Sequence, residues 1–284
     1  MTLPDDFLFS QSSLQDYVDC QRRFQLSYML HQAWPAVEAE PYLENERLID
    51  RGARFHKIVR QHLVGVPATQ ISASLSDDEL IEGWWGNWVH EMRNGNLRFI
   101  SEAGNQCYEE ISLSVPVGKF LLVAKYDLLV INSSGKLVIL DWKTSHTYPS
   151  HKWLADRLQT HVYPYVLSTA AATLLAGNTP DLSQIEMLYW FTNHPEQPER
   201  FTYDQARYKQ DERYLTNLVS TIDHKNDEIF PLTPDERRCN FCTYRSLCNR
   251  GITAGDLQHL EGWQDAETSE EVSIDFDQIG EIEF

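Results

Sequence analysis

The 284-residue chain reads as an α/β protein, a mixed β-sheet flanked by helices. Three observations predict this. Apolar residues recur at helical spacing through the first 95 residues and again over 150–176 and 203–228. From about 108 to 143 the pattern turns to alternation and unbroken apolar runs punctuated by turn residues. A further apolar run, "IEMLYWFTN" at 185–193, falls between the later helices, an order that suits helices on both faces of one sheet.

The opening segment, "SQSSLQDYVDCQRRFQLSYML", offers Ser12 or Ser13 as a helix N-cap, with Leu14, Tyr17, Val18, Phe24 and Tyr28 on the apolar positions. A second helix is expected over 44–64, with Leu48, Phe55, Ile58, Val59 and Leu63 as its stripe. A third, over 77–93, carries Trp84, Trp85 and Trp88. Nothing basic surrounds these tryptophans, so they read as core and not as a stacking platform. "EISLSVPV", "KFLLVAKYDLLVI" and "KLVILDWK" then form a three-stranded meander, with "NSSG" as a turn. Pro164 should kink the helix over 150–176.

At 42% hydrophobic residues the chain can bury a sizeable core. No run approaches the roughly 18 apolar residues that cross a bilayer. The N-terminus lacks a basic segment followed by an apolar one, so a soluble cytoplasmic protein without membrane attachment is expected. The formal charge of −18 argues against coating nucleic acid by bulk attraction. Yet residues 251–284 hold ten acidic residues and no Lys or Arg, leaving 32 acidic against 24 basic residues elsewhere. A body at −8 can still carry a local basic groove, and 251–284 reads as an acidic, flexible tail.

An odd count of five cysteines speaks against a disulfide framework. Cys239, Cys242 and Cys248 crowd into ten residues, which points to a metal. Cys107, at the entry to a strand, reads as a small buried hydrophobe.

In "LVILDWKTS", strand alternation puts Asp141 and Lys143 on one face and Trp142 on the other. Asp127 sits among apolar residues on the preceding strand, and buried aspartates are rare unless paired or holding a metal. A three-residue loop Ser133–Ser134–Gly135, with Gly135 left-handed, pairs Asn132 with Lys136 and hence Asp127 with Asp141. A four-residue loop would put the two acids on opposite faces. Two carboxylates facing a lysine would bind Mg²⁺ or Mn²⁺, which activates water for in-line attack on phosphate. The plain alternative, a surface ion pair ending a strand, would be preferred for an isolated Asp-x-Lys triplet.

"FLLVAKYDLLVINSSGKLVILDWKTS" resembles the core of the PD-(D/E)XK nuclease superfamily in its RecB-like branch. The resemblance implies a restriction-endonuclease-like mixed sheet, with Asp127, Asp141 and Lys143 as the catalytic acid, acid and lysine. Ala124 departs mildly from the glycine usual three residues before the first acid. Gly52 and His56 match the branch's G-x-x-x-H helix, whose histidine is a metal ligand, and Gln159 and Tyr163 match its Q-x-x-x-Y motif, which contacts DNA. Glu110, or its neighbour Glu109, matches a glutamate near the metals; Glu110 is favoured.

"SSLQDYVDCQRRF" further resembles the opening of iron–sulfur members such as the AddB nuclease domain and the CRISPR-associated spacer-acquisition nuclease. That likeness implies a 4Fe-4S cluster on Cys20, Cys239, Cys242 and Cys248, a structural staple joining the chain's two ends, with zinc as the minority alternative. The implied domain spans 1–250, with a helical part at about 10–95, a catalytic core at about 100–230 and the cysteines at 239–248. The expected function is a Mg²⁺/Mn²⁺-dependent deoxyribonuclease, exonucleolytic on single-stranded DNA, serving repair, recombination or CRISPR adaptation. Its alternative is a catalytically weak DNA-binding or assembly module of a larger complex. Arg22 and Arg23 are candidate DNA contacts beside Cys20. A helicase, an integrase or a single-strand-binding protein is a candidate partner, and the tail's "IEF" end is weakly similar to the acidic tip of the last.

Overall fold

The computed structural model describes residues 3–33, 42–75, 77–175 and 177–251; the tail therefore lies outside the described residues. Its strands are β1 (Leu8–Ser10), β2 (Gln106–Glu109), β3 (Ser112–Val117), β4 (Phe120–Lys125), β5 (Leu128–Ile131), β6 (Leu137–Lys143), β7 (Ile185–Phe191) and β8 (Glu199–Thr202). Its helices are α1 (Gln11–Asp19), α2 (Gln21–Phe24), α3 (Tyr42–Leu63), α4 (Ala68–Ala73), α5 (Glu79–Asn94), α6 (His151–Ala155), α7 (Leu158–Ala170) and α8 (Gln205–Asp223).

Strand β6 lies at the middle of a five-stranded sheet ordered β2-β5-β6-β7-β8, antiparallel to β5 and parallel to β7. Its period-two pattern serves two cores. Leu137 and Ile139 face a core shared with α7, where Val162 and Val166 pack. Val138, Leu140 and Trp142 face the other, built with Phe55 and Val59 of α3 and with Trp84, Trp85 and Trp88 of α5. The three tryptophans are thus core residues, as expected. Each indole N–H finds an acceptor: Asn193 Oδ1, Ser72 Oγ and His62 Nδ1 respectively.

The expected meander is present but bent. A second sheet, β1-β4-β3, continues the β2–β5 pair beyond a break at 110–111 and 126–127. No residue is inserted there: Glu109 pairs with Leu128 on one side and Ser112 with Lys125 on the other. Across the break, Glu110 N–H donates to Asp127 O (3.1 Å) and Tyr126 N–H to Ile111 O (2.9 Å). The bend comes from Glu110, whose φ of +48° takes it out of the extended region.

Several boundaries differ from expectation. The α1 N-cap is Ser10, not Ser12 or Ser13: its hydroxyl accepts from Ser13 N–H (3.2 Å), and Ser13 Oγ accepts from Ser10 N–H (2.9 Å). The opening helix breaks at Cys20, which is extended (φ −160°), and resumes as α2 and a π-turn over Gln25–Met29. Val18 is 46% exposed and leaves the apolar stripe. The helix over 150–176 is interrupted at 156–157, and Pro164 lies within α7. Short strands β1 and β8 carried no period long enough to read.

Candidate active site

The hairpin register converges two carboxylates. Asn132 N–H donates to Lys136 O (2.9 Å), and Gly135 adopts φ +85°, as the three-residue loop requires. Leu128 then pairs with Leu140, and one further step along the same register sets Asp127 across from Asp141. Trp142 N–H donates to Asp127 Oδ2 at 3.3 Å.

Each acid has a cationic or imidazole neighbour. His56, from α3, brings Nδ1 to 3.3 Å from Asp127 Oδ1, its ring 5.3 Å from that of Trp142. Lys143 Nζ lies 3.1 Å from Asp141 Oδ2. Burial pushes the Asp127 carboxyl up, but His56, the Lys143 charge and the Trp142 N–H together outweigh it and hold the group below the usual carboxylate range. Glu110 stands opposite Asp127, paired with Arg60 at 2.7 Å. Arg60, on the same helix as His56, thus forms a half-exposed ion pair at the groove's edge.

Helix α7 supplies Gln159, 4% exposed, whose Nε2 donates to Asp141 Oδ1 at 2.6 Å. Tyr163, one turn on, is pushed well above the ordinary tyrosine pKa by burial and by the Asp141 and Asp127 charges, so it stays a neutral phenol. Its backbone carbonyl accepts from Tyr126 Oη at 3.0 Å, a support that sequence reasoning missed because Tyr126 looked like one more apolar strand residue. Asp127, Asp141, Lys143, His56, Glu110, Gln159 and Tyr163 all line one groove of about 1260 Å³. Arg22 and Arg23 do not. Arg22 turns to Gln25, and Arg23 is enclosed by Asp16 (2.7 Å) and Asp19 (3.3 Å), which hold its guanidinium charged despite burial.

Among the described residues, no three His, Cys, Asp or Glu side chains stand in a metal-ligating arrangement. The donor chemistry nevertheless fits a hard divalent ion: two carboxylates and an imidazole border the groove at one place, with Lys143 and His56 now against the carboxylates. Cys20, Cys239, Cys242 and Cys248 line a second, small pocket of about 20 Å³. Burial, then neighbouring cysteine charges, push the Cys239 and Cys248 thiols up, and burial does the same for Cys242. Arg23, Arg238 and Arg245 share that lining. Cys107 is half-buried against the tryptophan core.

A family model described as the PD-(D/E)XK nuclease superfamily matches residues 8–249. The chain belongs to that superfamily. Its nucleases typically use Mg²⁺ or Mn²⁺. No curated protein sequence matches the chain. Among solved structures, one described as SSO0001 is similar at 14% identity and a TM-score of 0.38, covering 87% of each chain. Another, from Eubacterium rectale and provisionally described as an exonuclease, is similar at 8% identity and a TM-score of 0.47, covering 76% of this chain and 79% of that one. No helix among the described residues is long and apolar enough to cross a membrane.

Proposed function

We propose that this superfamily member is a Mg²⁺- or Mn²⁺-dependent deoxyribonuclease that hydrolyses single-stranded DNA exonucleolytically, in repair, recombination or CRISPR adaptation. The observation that carries the reading is the meeting of Asp127, Asp141, His56 and Lys143 at a strand break inside a long groove. A divalent ion held by Asp127, Asp141 and His56, with Glu110 nearby, would activate water and offset charge developing on phosphate. Lys143 offers an ammonium to the same phosphate or to the attacking water. Gln159 keeps the Asp141 carboxylate oriented, and its edge of the groove, with Tyr163, is where the strand would pass. Lys57, Arg60 and Lys125 line the same groove and would meet backbone phosphates.

The test is cleavage of end-labelled single strands by the full-length protein with Mn²⁺. Wild type should cut, Asp141→Ala should not, and 5′ and 3′ labels report polarity. A wild type that binds DNA but cuts with no divalent ion would leave the alternative, an assembly module for a helicase, integrase or single-strand-binding partner.

The four-cysteine pocket supports a 4Fe-4S cluster that staples Cys20 to the C-terminal segment. The minority reading is a single zinc ion on the same four thiols. Anaerobic purification separates them: iron and acid-labile sulfide with broad visible absorption, or a colourless protein with one zinc.

A further inference from the structure

The groove extends beyond the acidic centre. It is also lined by Phe7, Tyr28, His31 and Tyr244, residues that none of the chemistry above employs. Tyr244 stands out because it borders both the groove and the four-cysteine pocket, from a position between Cys242 and Cys248. Its hydroxyl accepts from Ser27 Oγ (3.3 Å) and donates to Gln32 O (3.1 Å), so the cysteine segment is tied to residues 27–32 across more than 200 residues of chain.

That short stretch holds two local departures from regular backbone. Gln25–Met29 is a π-turn, with Leu30 N–H donating to Gln25 O (3.0 Å), and such turns concentrate at functional sites. His31 follows at φ +44°, a left-handed conformation that a non-glycine residue keeps only where its surroundings demand it. Phe7 supports the Tyr28 ring edge-on at 6.1 Å, and Tyr28 Oη donates to Asp16 Oδ2 at 3.2 Å. The rings are therefore held, not loose. Tyr28 and Tyr244 are half-buried and His31 is exposed, which leaves ring surface toward the groove.

We propose that Tyr244, with Tyr28 and His31, forms a stacking subsite for the nucleobases of a single strand, where the groove borders the cysteine pocket. This rests on reading the groove as a single-strand site. Aromatic faces accept any base, and a basic groove with aromatic rings is the general device for gripping single strands without sequence preference. A duplex, whose bases are already stacked, gains nothing from such rings. The cysteine segment thereby acquires a role in holding substrate, since it carries Tyr244.

The experiment measures binding of a short oligothymidylate and of an abasic strand of equal length to the full-length Asp141→Ala protein by fluorescence anisotropy. The two probes share phosphates and differ only in bases. The oligothymidylate should bind more tightly, and adding Tyr244→Ala should weaken it about tenfold, or ~1.4 kcal/mol, while leaving the abasic strand nearly unchanged. Tyr244→Phe, which keeps the ring and loses both hydroxyl bonds, should retain the preference for bases. Equal weakening of both probes by Tyr244→Ala, or a Phe variant as poor as Ala, would mean a structural role and overturn the subsite. Loss of binding by the wild type to every strand, with no cleavage, would instead overturn the nuclease reading. The two failures are thus distinguishable.

Discussion

Gln159 donates its side-chain amide to Asp141 at 2.6 Å from a helix whose first turn is buried. A residue whose motif suggested contact with DNA is thereby committed first to a carboxylate. Hydrogen bonds to charged groups contribute about 1.5–3 kcal/mol each. Gln159→Leu should fold, yet cut single strands about 10- to 100-fold more slowly and require more Mn²⁺ for half-maximal rate. Single-turnover cleavage across a Mn²⁺ titration reads both effects.

Lys143 pairs with Asp141 at 3.1 Å and lends charge to Asp127 as well, and both members of the Lys143–Asp141 pair are largely buried. Removing a buried cation leaves its carboxylate uncompensated, which costs about 3–5 kcal/mol. Lys143→Met should abolish cleavage and lower Tm in metal-free buffer. Because a divalent ion can replace the missing charge, Mn²⁺ should raise the variant's Tm more than it raises that of wild type. Calorimetry with and without Mn²⁺ checks this, and equal shifts would count against a shared metal and lysine site.

How much of this was legible in the sequence depends on range. The facing of Asp127 and Asp141 was readable because it follows from local chemistry, one glycine at the left-handed position of a three-residue loop. The two faces of β6 were readable from its period. The bend at Glu110 was not, because glutamate carries no signal for positive φ; glycine or asparagine there would have flagged it. The break at Cys20 was equally hidden, since no glycine or proline marks it and the interruption shows only in the backbone. Partners such as Gln25, which donates to Glu228 O (2.9 Å) and accepts from Phe230 N–H (2.9 Å), lie some 200 residues apart, beyond any local pattern.

Glu110 holds a left-handed conformation that asparagine adopts more readily. Backbone strain of this kind costs on the order of 1 kcal/mol or more, and the half-exposed Arg60 pair offsets only about 0.2–1 kcal/mol. Glu110→Asn should therefore be as stable as wild type or more so in urea denaturation, while cleavage falls. A variant that is both less stable and fully active would show that Glu110 serves the fold alone.

His62 accepts the Trp88 indole N–H at Nδ1 (3.1 Å), a role open only to the neutral ring. Burial, helped by the Arg93 charge, lowers its pKa below the ordinary histidine value. The unfolded chain therefore takes up the proton first as pH falls. Stability is fully present above about pH 6.5, the unfolded value, and declines as pH drops from there toward the lower folded pKa. His62→Gln, which can accept the same hydrogen bond without titrating, should show a smaller loss of stability between pH 7.5 and 5.5. Parallel slopes for the two proteins would remove His62 from the acid sensitivity.

Asp19 joins three segments that surround the two centres. It accepts from Gln15 Nε2 (2.8 Å), from Arg23 (3.3 Å) and from Arg238, which neighbours Cys239, and Arg157 lies 3.9 Å away at the head of α7. Gln15 in turn accepts the Leu158 N–H at 3.0 Å, satisfying one of the donors that a helix start leaves open. Arg157, the N-cap of α7, makes no side-chain cap of its own, so Gln15 supplies the cap from α1. Gln159 follows directly, so Asp19 and Gln15 tie the cysteine segment to the helix start that carries the hydrogen-bond partner of Asp141. Gln15→Leu orphans the Leu158 N–H at a cost of about 1–3 kcal/mol, and Asp19→Ala removes the acceptor that Gln15, Arg23 and Arg238 share, although Arg23 keeps Asp16 (2.7 Å) and Arg238 keeps Asp235 (3.7 Å). Asp19→Ala should be the more destabilised of the two in urea. Gln15→Leu, the milder lesion, should show cleavage loss that follows Gln159→Leu in its raised Mn²⁺ requirement. If its Mn²⁺ dependence matches wild type, Gln15 supports the fold without setting the position of Asp141.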